Sequence, residues 1–123
     1  MLMQKDIREV QLAKSAVVSG IKILMNELQI ESGQIKNIFI AGAFGNHVRG
    51  QDAVDSGLIP AVPIERIKFI GNAALAGAEA VLLSQEARRK AEHLTVKVGY
   101  VEISECSDFH EFFVESMHFP YQE

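Results

Sequence analysis

Two stretches of this chain place glycine and small or amide side chains directly after a short apolar run. Ile38-Phe39-Ile40-Ala41 leads into Gly42-Ala43-Phe44-Gly45-Asn46, and Ile67-Lys68-Phe69-Ile70 leads into Gly71-Asn72. Glycine lacks a Cβ, so the backbone there can turn sharply and come close to a ligand. Adjacent parallel strands would set the two turns side by side. Their N–H groups, with a helix N-terminus near Ala73, could then hold phosphate or ribose oxygens. Each glycine alone is explained as well by a plain strand-to-loop turn, and the matched pair is what points to a ligand. Gly42, Ala43, Phe44, Gly45, Gly71 and Asn72 are therefore the candidate nucleotide-binding residues. Neither turn is a Gly-x-Gly-x-x-Gly fingerprint and no Gly-x-x-x-x-Gly-Lys-Ser/Thr occurs, which speaks against a dinucleotide site and a P-loop.

Other chemistry has less to stand on. Cys106 precedes His110 by four residues, a spacing that could pair a thiol with a base. Nothing nearby supplies an oxyanion hole, however, and Cys106 precedes the helix that carries His110. Asp52 and Asp55 are the acids nearest the first glycine turn, with magnesium or nucleotide contact as a minor reading beside that of a solvated face. The other histidines, His47, His93 and His118, have no partner at metal-ligand spacing. One cysteine cannot hold an iron–sulfur cluster. We expect no metal and no catalytic side chain in this chain alone. The net charge is −4 and the 12 Lys and Arg form no dense patch, so no nucleic-acid partner is expected. No apolar run approaches the roughly 18 residues of a membrane helix. No charged start leads into a signal core. A reducing, cytoplasmic setting is expected.

The elements around these turns follow from periodicity and punctuation. Ile7, Val10, Val17, Ile21, Leu24 and Leu28 recur at helical spacing and predict a long first helix, ending near 28–30. Asp6 and Glu9 suggest its capping box. Ala13, Ala16 and Gly20 would let it lie close against a sheet, with Lys14 and Lys22 solvated. Strands are predicted over 35–41 and 67–70, with a short helix over 51–56 closed by Gly57. Pro60 and Pro63 exclude regular structure between them. A small-residue helix follows from Ala73 to about Leu83, then a second piece over 85–93 capped by Ser84. Val96, Val98, Tyr100, Val101 and Ile103 predict a third strand with a bend at Gly99. Ser107 would cap a last helix carrying the apolar stripe Phe109, Phe112, Phe113 and Met117. The fold class is α/β, a short parallel sheet flanked by helices. Two confident strands make a thin domain, so exposed apolar surface and self-association are expected.

The same residues carry a family resemblance. Asp6-Ile7-Arg8-Glu9-Val10-Gln11-Leu12-Ala13-Lys14, Ala41-Gly42-Ala43-Phe44-Gly45-Asn46, Gly57-Leu58-Ile59-Pro60, Gly71-Asn72-Ala73-Ala74, Gly77-Ala78 and Phe119-Pro120 follow in that order. Over nearly the whole chain this resembles the C-terminal part of the ATP-dependent reductive activators of corrinoid proteins, a family of iron–sulfur proteins. The family is similar to the acetate and sugar kinase, chaperone and actin superfamily, with two ribonuclease-H-like lobes around ATP.

The resemblance implies that residues 1–123 are one partial domain, the C-terminal part of the second lobe. Ile38 to Ala41 would be the strand of the adenosine motif, Gly42 to Phe44 its turn, and Gly71-Asn72 the neighbouring turn. It implies ATP and magnesium in the intact protein and a [2Fe–2S] domain upstream. Electrons would pass from that cluster to a corrinoid protein, the expected partner. The phosphate hairpins, the catalytic acid and the cluster cysteines would lie before Met1, so this chain alone is expected to be inactive and to bind none of these cofactors by itself. Two other readings stay open: a non-catalytic interaction or self-association module, and a Rossmann-like nucleoside binder.

Overall fold

The longest element, α1, runs from Gln4 to Glu27 in the computed structural model, which describes residues 3–120. Met3 stands in the cap position with extended backbone. The Asp6 carboxylate reaches back to accept from the Met3 N–H at 2.8 Å. Asp6 is thus the third helical residue and not the cap, which puts its charge on the positive end of the helix. The C-terminus closes in a Schellman motif: Gln29 N–H donates to the Asn26 carbonyl and Ile30 N–H to that of Met25, both at 3.0 Å. Gln29 takes the left-handed conformation this requires, φ 52°.

Strands β1 (Ile38–Ala41) and β2 (Ile67–Gly71) pair in parallel. Ile38 sits opposite Ile67 and Ala41 opposite Gly71, with Ile70 the extra residue at an irregularity after Ile40. The crossover contains the short helix α2 (Gly50–Asp55), whose Ala53 is fully buried. After β2 come α3 (Ala73–Leu83), α4 (Gln85–Thr95) and α5 (Phe109–Glu115). Ser84 lies between α3 and α4, and its hydroxyl accepts from the Ala87 N–H at 3.2 Å, the predicted cap.

Four further expectations need correction. No third strand forms over 96–103: Lys97 and Val98 N–H groups both close onto the Leu94 carbonyl, wrapping the segment as a turn behind α4. Val96, Val98 and Tyr100 are exposed, and Ile103–Glu105 is a single 3-10 turn. Strand-forming residue types do not make a strand where no neighbouring ladder receives them. Second, Asp108 and not Ser107 precedes α5, and the Ser107 hydroxyl donates to the Asp108 carboxylate instead of capping.

Third, α1 packs chiefly on α5 rather than on the sheet, and Ser15, Ser19, Gly20 and Ile23 are among its buried residues. Ser15 and Ser19 are buried by returning their hydroxyls to the carbonyls of Gln11 and Ser15, at 2.7 and 2.6 Å. Of the predicted apolar stripe, Ile7, Val10, Val17, Leu24 and Leu28 are exposed, while Ile21 is half-buried. Fourth, Lys14 and Lys22 are engaged. Lys14 is only 4% exposed, its ammonium donating to the His118 carbonyl at 2.5 Å and lying over the Phe119 ring. Lys22 pairs with Glu115 at 3.2 Å and lies over Phe112.

Candidate functional site

Register alone brings the two glycine turns together. Ala41 and Gly71 are opposite one another, and the Gly42 N–H donates to the Gly71 carbonyl at 2.7 Å. Both glycines are left-handed, φ 80° and 60°. A Cβ added to either would meet no atom within 4 Å, so both open onto unfilled space.

The remaining candidates divide by what they contact. Ala43–Asn46 winds into a 3-10 turn, closed at its start by Gly45 N–H on the Gly42 carbonyl at 3.3 Å. A Cβ on Gly45 would stand 3.0 Å from Phe69 Cδ1 and 3.4 Å from Ile40 Cγ2. Gly45 therefore packs closely on the sheet, and a Cβ there would require the Phe69 ring to shift. Asn72 is the N-cap of α3, its side-chain oxygen accepting from the Leu75 N–H at 3.1 Å. Ala73 and Ala74 head the helix, where N–H groups have no partner within it. Their small side chains leave those donors accessible beside Gly71. The arrangement is thus a cluster of backbone donors at the carboxyl ends of two parallel strands, suited to an anion or a ribose. It contains no nucleophile and no acid–base pair.

Elsewhere the acid candidates are engaged with neighbours. Asp52 is held by Arg49, whose Nε and Nη2 donate to its two oxygens at 2.8 Å each. That hydrogen bonding holds the Asp52 carboxyl below its usual range and raises the Arg49 guanidinium. Asp55 accepts from Gln51 at 2.6 Å. Asp52 borders an apolar cavity of about 410 Å3 between α1 and the α2 segment, with Val10, Val17, Val48 and Leu58. Cys106 directs its thiol to the Glu102 carbonyl at 3.5 Å, and no Cys106–His110 hydrogen bond forms among the described residues. Among the described residues no three His, Cys, Asp or Glu side chains cluster to hold a metal ion, and no helix is long and apolar enough to cross a membrane.

Lys14, expected to be solvated, is instead buried. Its position within the apolar stripe of α1, between Val10 and Val17, was the available signal, because a lysine there must bury its stem. Burial, and secondarily Lys22, lowers its ammonium from the ordinary lysine value.

Comparison with known proteins gives three concordant results. The family model described as the C-terminal domain of RACo, the ASKHA domain, matches residues 1–123. A corrinoid activation enzyme, RamQ, of Eubacterium limosum is 42% identical over 83 residues, covering 68% of this chain and 14% of the relative. A solved structure of a reductive activator for a corrinoid, iron-sulfur protein superposes on 98% of this chain with TM-score 0.88 and 29% identity. This chain spans 19% of that structure's length.

Proposed function

The chain belongs to the family of RACo C-terminal domains, the ASKHA domain, and on that basis we propose that its paired glycine turns are the adenosine side of an ATP site. The observation that carries this reading is the Gly42–Gly71 contact, with both residues left-handed and open to empty space. Backbone at Gly42, Ala43 and Phe44 would approach the ribose and α-phosphate. The start of α3 behind Gly71 and Asn72 would add its dipole and free N–H groups. Gly45 and Asn72 would hold the two turns in shape. Catalysis would come from outside this chain, since no acid–base group lines the turns.

In this reading residues 1–123 are the C-terminal part of the second lobe of an actin-like ATPase domain in a cytoplasmic protein. ATP and magnesium would bind between that lobe and another. ATP binding would favour the closed arrangement of the lobes and bias docking to a corrinoid protein. A [2Fe–2S] cluster carried elsewhere would supply the electrons. The single cysteine here cannot bind such a cluster.

Calorimetric titration of ADP and ATP into this chain tests the proposal. Saturable heat that vanishes in Gly42→Val with helicity retained would support a residual adenosine site in this chain. A folded wild-type chain that takes up no nucleotide would overturn a residual adenosine site in it.

A second reading has its own support. Helix α3 is apolar except for Glu79 yet buries no residue, and Leu82 and Leu83 are 77% and 84% exposed. With the uncovered stripe of α1, this favours self-association or packing on the remainder of a longer protein.

A further inference from the structure

We propose that residues 116–120 form a latched strap that holds α2, and through it the start of β2, in place, with Lys14 as its catch. The observations converge from three elements. After α5 the chain turns back along α1, where Gln11 Nε2 donates to the Met117 carbonyl at 3.1 Å and Lys14 Nζ to that of His118. Phe119 lies beneath the same ammonium, 5.0 Å from ring centre to Nζ. Pro120 then seats on Gly57, the left-handed residue that closes α2. A Cβ on Gly57 would stand 2.8 Å from Pro120 Cγ, so the seat exists because the residue there is glycine.

The chemistry of Lys14 makes the strap an all-or-none element. A buried ammonium needs acceptors, and here a carbonyl and an aromatic face supply them in place of a carboxylate. Lifting the strap removes both and leaves the charge unpaired until the side chain swings into water. Half-open positions are therefore the least stable ones.

Helix α2 is flanked by a glycine at each end, of which Gly57 is crowded and Gly50 lies at ordinary contact distance from its neighbours. At its start Gly50 faces Ile67 of β2, with a built Cβ 3.5 Å from Ile67 Cγ2. At its end Gly57 receives Pro120. Between them, Ala53 is completely buried. A displacement of the strap is thus passed to the residue from which β2 begins its run to Gly71.

Hydrogen exchange on the full chain tests this, read at the amides of Ala53, Ser56 and Leu58, which are bonded to Arg49, Asp52 and Ala53 carbonyls. Lys14→Met and Phe119→Ala should each raise exchange there by about fivefold or more, with α3 unchanged. The double variant should exceed neither single one, because both open the same strap. Pro120→Ala leaves α1 intact and gives the same readout if Lys14→Met fails to fold. Unchanged exchange over 53–58, multiplying effects in the double variant, or an equal rise in α3 would each overturn the latch.

Discussion

Gly42 donates its N–H to the carbonyl of Gly71 across the ends of two parallel strands, at 2.7 Å, and both residues have positive φ. Neither conformation suits a residue with a Cβ, although space for one exists at both positions. Conformation, not crowding, therefore demands glycine at this pair. Gly71→Ala should lower stability by about 1–2 kcal/mol. Gly77 offers the contrast, lying inside α3 with ordinary helical backbone and nothing within 4 Å of a built Cβ. Gly77→Ala should raise stability by about 0.5–1 kcal/mol. Urea unfolding of both variants checks the opposed signs.

Gln29 occupies the left-handed position that closes α1, where glycine is the residue without strain. Its two neighbouring backbone bonds already form the motif. Gln29→Gly should therefore stabilise the chain by up to about 1 kcal/mol, seen as a higher thermal midpoint, whereas Gln29→Val should destabilise it.

Lys14 makes stability depend on alkaline pH in an unusual direction. Burial lowers its folded value below the ordinary 10.5. Between the folded value and 10.5 the unfolded chain binds the extra proton, so stability rises with pH across that interval. Below the folded value both states are protonated and the burial penalty is constant. Wild type should accordingly gain stability relative to Lys14→Met as pH climbs toward 10.5. Chemical unfolding of both proteins over that range reads the difference, and a relative loss for wild type would contradict the burial of the charge.

Val10 and Val17 lie on the uncovered stripe of α1, about half exposed. If this stripe drives self-association, Val10→Glu with Val17→Glu should shift the chain toward monomer in sedimentation without loss of helicity. Ser15→Leu, at a fully buried position of α1, should destabilise by roughly 1–3 kcal/mol through overpacking.

Much of the geometry of the two glycine turns was legible in the sequence. Apolar runs ended by Gly42 and Gly71 indicate strands and turns, and the crossover length between them indicates parallel pairing. Asn72 and Ser84 are residue types that cap helices, and both do so. Val96 to Ile103 misled because residue type reports strand tendency and not whether a neighbour exists to complete the ladder. The periodic stripe of α1 correctly indicated a helix with an apolar face. It misled about packing, because Ser15 and Ser19 are buried while most of the apolar stripe is exposed.

The sequence by itself located the helices and the two strands that pair, where the chain must turn, and that two glycine turns would end up adjacent. These depend on local backbone preference and on side-chain period, which neighbouring residues carry among themselves. Only the tertiary structure decided which face of α1 is covered, that Lys14 is buried against the backbone of His118, and that Gly57 is the seat of Pro120. Those relationships join residues 63 to 104 positions apart. No local pattern encodes them, because each depends on what the folded chain brings alongside.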